Sequence, residues 1–199
     1  MNVKPLYDDS QLKGLYLKAN KYFKDRADIK KPRESKIQSI GGGYLFSIGL
    51  KNLGLDAEKI KIDVSEKGKP YLSGEKIFFN IAHSADMVVC AFGANEIGVD
   101  IEKIKPLSEK FLDRISLPTE KAKISAAKQI VKLWTRKEAL AKCLGTGVGE
   151  NVYKTDLSED QFSLDGTVYR LKSFEVGEYM ISVCTEFDFP PDEIVKIKI

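Results

Sequence analysis

Apolar and polar positions along this chain alternate with two periods, and the switches between them mark out its elements. Residues Gln11 to Lys24 read as a helix, and after Lys31-Pro32 a second begins near Arg33, with Ile37, Ile40, Tyr44, Leu45 and Ile48 on one side. Gly41, Gly42 and Gly43 fall inside it. A glycine in a helix interior costs roughly 0.5 to 1 kcal/mol relative to alanine, so the triplet implies either close approach of another backbone or a local break. Pro5 cannot donate to a central ladder, which suits residues 1–10 to a short edge strand and turn. Period-two runs then predict strands over Lys59 to Val64, Ile77 to Ile81, Met87 to Phe92 and Glu96 to Glu102. A loop or hairpin rich in Gly and Pro separates the first from the other three, which form an antiparallel meander.

Lys105-Pro106 is the natural boundary. Beyond it, Pro118 suits the start of a short helix over Thr119 to Ser125. A long helix follows from Ala126 to Leu144, with Ile130, Leu133, Trp134, Lys137, Ala141 and Leu144 at helical spacing, and Gly145 ends it. Strands are expected near Gln161 to Leu164, Thr167 to Glu175 and Tyr179 to Phe187, with a last one over Ile194 to Ile199. Each half runs helix first, then antiparallel sheet. The fold class is therefore α+β, as two similar lobes at 1–104 and 105–199, although no residue-level repeat joins them.

Composition narrows the chemistry. With 199 residues, 43% of them hydrophobic and 31% charged, the chain has the make-up of a soluble globular protein. No apolar run approaches the roughly 20 residues that span a bilayer, and MNVKPLYDDS lacks the apolar centre of a secretory signal. A cytoplasmic protein with no membrane partner is expected. Cys90, Cys143 and Cys184 are scattered without metal-ligand spacing and read as reduced and structural. With one histidine and no C-x-x-C, a conventional zinc cluster and most cysteine–histidine nucleophile arrangements are excluded. Carboxylates and lysines remain. Net charge is only +3, from 32 basic and 29 acidic residues, which does not suggest a nucleic-acid partner. Even so, Lys18, Lys21, Lys24, Arg26, Lys30, Lys31, Arg33 and Lys36 cluster within 19 positions. They make either a solvated helix face or a patch for a phosphate or an acidic partner.

Two stretches carry candidate reactive groups. In Ile97 to Glu102, IGVDIE, the alternation puts Asp100 and Glu102 on one strand face, with Cα atoms roughly 6.5 to 7 Å apart. Their carboxylates can converge on a hard divalent cation, or simply face solvent. In WTRKEALAKCLGTGV, Glu138 and Lys142 share a helix face. Alone, they could be an exposed ion pair worth about 0.2 to 0.5 kcal/mol, and Trp134 could be core.

Taken in order, GKP at Gly68 to Pro70, FNIAHS, GVDIE and WTRKEALAKCLGTGV resemble the Sfp-type 4′-phosphopantetheinyl transferases. That family's pattern runs G-K-P, N-I-S-H-S, G-[IV]-D-I-E and W-x-x-K-E-x-x-x-K-x-x-G-x-G, and the match spans Gly68 to Gly147. The resemblance implies two pseudo-twofold lobes in a single, monomeric chain with coenzyme A in the cleft between them. It also implies Mg²⁺ on Asp100, Glu102 and Glu138, with Lys142 facing the coenzyme A phosphates. The implied reaction moves phosphopantetheine to a serine of an apo acyl or peptidyl carrier protein and leaves adenosine 3′,5′-bisphosphate. Glu138, directly or through a water on the metal, is the candidate base. His83 is matched to the 3′-phosphate and Lys69 to the nucleotide; Lys137, about 100° around the helix from Glu138, is a weaker match. Ala82 stands where the family has serine. Among upstream basic residues, Lys36 is preferred over Lys31 and Arg33 for the 3′-phosphate. The competing expectations are a non-catalytic module that binds coenzyme A or a carrier, and a metal-dependent phosphohydrolase.

Overall fold

The computed structural model describes residues 1–188 and 190–199. A 3₁₀ turn at Lys4–Tyr7 leads into α1 (Asp9–Lys18), α2 (Lys21–Asp28) and α3 (Arg33–Asn52). The single helix expected over Gln11 to Lys24 is thus two. Ala19 closes the first and Asn20 caps the second, its Oδ1 accepting from Tyr22 N–H. Residues 1–10 form that turn and the start of α1; only the bridge between Asn2 and Met87 survives of the expected edge strand.

Helix α3 stays helical through its three glycines, so the triplet marks close approach. A Cβ on Gly41 would sit 2.8 Å from a Val3 methyl, and one on Gly43 would sit 2.6 Å from Phe23 Cβ. The turn and α2 both press against it there.

A small hairpin, β1 (Ile62–Val64) with β2 (Pro70–Leu72), presents the GKP sequence. A second, β3 (Phe78–Ser84) with β4 (Met87–Gly93), packs under α3. The expected meander ends there. Strand β5 (Ile97–Lys103) pairs antiparallel with β8 (Tyr179–Glu186), giving a four-stranded sheet in the order β5-β8-β7-β6 with β7 (Thr167–Val176) and β6 (Gln161–Leu164). Periodicity locates a strand but does not name its hydrogen-bonded neighbour, and here the neighbour lies some 80 residues on.

Between β5 and the sheet's remaining strands run α4 (Glu109–Ile115), α5 (Pro118–Lys121), α6 (Ala127–Leu144) and α7 (Glu150–Tyr153). Helix α6 lies across β5 and β8. Contact is closest at Gly98, where a Cβ would collide with Ala139 O and Cys143 N. Gly145, at φ 65°, closes α6 in the left-handed conformation.

Ala82, Val99, Ile101, Ile181 and Val183 form an apolar layer joining β3, β5 and β8. The strand expected over Ile194 to Ile199 does not form. Ile194 instead packs on that layer and Ile197 on the cluster around Val3, Ile37 and Val88, with the backbone outside any ladder.

Candidate active site

Strand β5 is buried from Ile97 to Ile101, so its alternation is not the half-solvated kind. Gly98, Asp100 and Glu102 share the face toward α6. Lys142 Nζ donates to Asp100 Oδ1 at 2.6 Å, while Asp100 Oδ2 is buried without a partner. Burial pushes the Asp100 carboxyl up to about 6, against the pull of Lys142 and with added repulsion from Glu102 and Glu138. Glu138 is likewise pushed up, chiefly by burial, with Lys142 opposing and Glu102 adding to the shift.

Three carboxylates therefore feel one another beside a single ammonium. They are not preset as ligands: among the described residues no three His, Cys, Asp or Glu side chains form a cluster ready to hold a metal ion. The donor set nonetheless fits a hard cation. All the donors are oxygen, one oxygen is orphaned, and the acids repel.

Strand β3 supplies the opposite wall. Asn80 Oδ1 accepts from Val99 N–H at 3.0 Å, and Ser84 Oγ donates to Glu102 Oε2 at 2.9 Å. His83 opens onto a cavity of about 210 Å³ that Tyr22, Arg26, Lys30, Gln38 and Asn80 also line. Desolvation, then the positive charges of Lys30 and Lys142, push His83 below the usual imidazole value. Such a cluster of cations has surplus positive potential suited to an anion.

The sequence-derived residues separate here. Asp100, Glu102, Glu138 and Lys142 are brought together, and His83 lies close enough to feel the charge of Lys142. Lys36 is not among the residues around that cavity; its Nζ lies 3.4 Å from Asp28 Oδ1. Arg26 and Lys30, from the end of α2 and the link to α3, stand there instead. Lys30 was in the basic run, but helical spacing alone did not single it out.

Lys69 is fully engaged. Its ammonium donates to Glu96 Oε2 (2.5 Å), Cys143 O (2.9 Å) and Ile97 O (3.2 Å), tying the GKP hairpin to the start of β5 and the end of α6. Lys137 is wholly buried. It pairs with Glu120 at 2.8 Å and donates to the carbonyls of Val152, Tyr153 and Thr155, so it braces α6 against α5 and α7. Trp134 packs edge-on against Phe111, 5.2 Å between centroids.

Comparison with known sequences places this arrangement. The family described as the 4′-phosphopantetheinyl transferase superfamily matches residues 96–186, a span from just before β5 to the end of β8. The 4′-phosphopantetheinyl transferase Sfp of Bacillus subtilis (strain 168) is 32% identical over 176 residues, 77% of this chain and 75% of its own. The chain belongs to the 4′-phosphopantetheinyl transferase superfamily. A second Bacillus subtilis 4′-phosphopantetheinyl transferase is 35% identical over 116 residues, 55% of this chain and 52% of that protein. The 4′-phosphopantetheinyl transferase gsp of Aneurinibacillus migulanus is 30% identical over 159 residues, 72% and 64%. The matches thus span from about half to three quarters of these relatives. The superfamily match covers β5 and α6, the two elements that carry the three acids and Lys142.

Proposed function

We propose that this chain is a Mg²⁺-dependent 4′-phosphopantetheinyl transferase that moves the phosphopantetheine of coenzyme A to a serine of an apo acyl or peptidyl carrier protein. The observation that carries the reading is the meeting of Asp100, Glu102, Glu138 and Lys142 at one place, with a cationic cavity alongside. Residues 1–104 and 105–199 are read as the two lobes of a cytoplasmic monomer, with β5 reaching across that boundary to join the second lobe's sheet and coenzyme A between the lobes. Fatty-acid, polyketide and nonribosomal-peptide carriers are all candidate substrates.

Coenzyme A would place its 3′-phosphate against His83, Lys30 and Arg26, the last two replacing Lys36. An anion there would draw His83 toward its protonated form, reversing the effect of the neighbouring cations. Asp100, Glu102 and Glu138 would hold Mg²⁺, which supplies neutralisation of charge at the pyrophosphate. Lys142 would exchange Asp100 for a phosphate oxygen, acting as a point charge. Glu138, directly or through a water, would accept the proton of the attacking serine. The serine oxygen forms its bond to the β-phosphorus as the bond to adenosine 3′,5′-bisphosphate breaks. Next to Glu102, the shelf of Leu107, Phe111 and Trp134 with Lys103 and Lys105 offers apolar surface edged with positive charge, which suits an acidic carrier helix.

Mass spectrometry of apo carrier protein mixed with the enzyme, coenzyme A and Mg²⁺ tests this. Gain of the phosphopantetheine mass is expected; no gain on any of several carriers would leave a binding module. In Glu138→Gln, turnover should fall at least about 100-fold while coenzyme A affinity by calorimetry largely survives. An unchanged rate would remove Glu138 from both its roles.

A further inference from the structure

Strands β3 and β5 lie side by side, yet among the described residues no backbone hydrogen bond joins them: β3 is paired with β4 and β5 with β8. Two side chains take the place of the ladder. Asn80 accepts from the amide of Val99, and four residues on Ser84 Oγ accepts from the amide of Lys103 at 3.3 Å. The same interval on both strands means that they run parallel in fixed register. The two bonds bracket Asp100 and Glu102. The Ser84 hydroxyl also donates to Glu102 Oε2, so it both receives from and gives to β5.

We infer that Asn80 and Ser84 are positioning residues: a two-rung ladder of side chains that sets the register of β5 against β3 and, through Ser84, aims the Glu102 carboxylate at the cation site. The assignment deepens the proposed function and rests on it for the role of Glu102. Asn80 suits its rung because its amide oxygen reaches the Val99 amide, which β8, on the far side of β5, leaves unpaired. Ser84 suits the other because a hydroxyl can accept and donate at once. Alanine at 84 would leave the Lys103 amide and one Glu102 oxygen without these partners. Residues that hydrogen-bond a metal-binding carboxylate typically change metal affinity about 10- to 100-fold when removed.

Two measurements test the assignment, and the first needs neither metal nor turnover. Amide hydrogen exchange on the ligand-free protein should show the Lys103 amide opening about tenfold faster in Ser84→Ala, with Ser84→Thr restoring it. The Val99 amide should respond in the same way to Asn80→Ala but not to Asn80→Asp, which keeps an acceptor oxygen. The second is Mn²⁺ binding followed by electron paramagnetic resonance without coenzyme A. Ser84→Ala should weaken it about tenfold, and Ser84→Thr should recover it. Wild-type exchange at Lys103, or Mn²⁺ affinity within twofold of wild type, in Ser84→Ala overturns the proposal. If the wild-type protein binds no Mn²⁺, the metal part of the proposed function fails, and exchange alone decides the ladder.

Discussion

Lys142 and Asp100 form an ion pair, Nζ to Oδ1 at 2.6 Å, that leaves the second Asp100 oxygen buried and bare. A half-satisfied carboxylate repelled by two neighbouring acids contributes little to the folded state. Asp100→Asn should lower transfer at least about 100-fold, the scale for losing one charge-stabilising group at a reacting centre. The melting temperature without metal should hold steady or rise, because burial raises the Asp100 carboxyl above its ordinary value and its ionised form therefore costs the folded state at neutral pH. Wild-type rates in the carrier assay would refute the placement of this residue.

Lys69 binds three oxygens from two elements, and this suggests a test of the nucleotide role that the resemblance implied for it. Lys69→Met should cost about 1 to 3 kcal/mol in denaturant unfolding, from the stranded Glu96 and Cys143 acceptors, and should change coenzyme A affinity less than tenfold. A loss of coenzyme A binding near 100-fold, with unfolding unchanged, would return Lys69 to the nucleotide.

The buried pair of Lys137 and Glu120 holds α6 against α5. Besides the ammonium, Glu120 accepts from the amides of Leu117 and Leu157. Lys137→Met leaves that carboxylate without its counter-charge and should destabilise by about 3 to 5 kcal/mol. Adding Glu120→Leu should recover part of the loss. Equilibrium unfolding of the single and double variants checks both.

Acid sensitivity has an identifiable contributor. Burial raises the Asp156 pKa, but hydrogen bonds from Thr119 and Ser158, together with Lys123, outweigh it and hold the group at about 2. An acid depressed in the folded state stabilises above its unfolded value and loses that contribution as pH falls through the folded one. Wild type should therefore be more stable than Asp156→Asn at pH 7, and the gap should close between about pH 4 and 2. A gap independent of pH in paired thermal melts would sink the assignment.

How much of this could be read from the sequence depended on the range of each interaction. Helix α6, its Gly145 stop and the acid pair on β5 follow from local spacing, and all are present. The partner of β5 was not legible, since any buried strand offers two edges and only the fold assigns them. Helix α4 carries a local start signal in Ser108, which accepts from the Phe111 amide, but at seven residues it is too short for helical spacing to mark it out. Lys36 and Lys30 look alike in a basic run; where α2 stops separates them. Lys137 and Lys69 are ordinary lysines in composition, and only their buried partners show them as braces.

The pairing of β5 with a strand some 80 residues further on has a consequence for cutting the molecule. Cleavage at Lys105 would leave the first fragment with an unshielded border strand and the second with a sheet lacking its outermost member. Neither piece should be well behaved alone, whereas mixing them should rebuild the seam, with Asn80 and Ser84 helping to set its alignment.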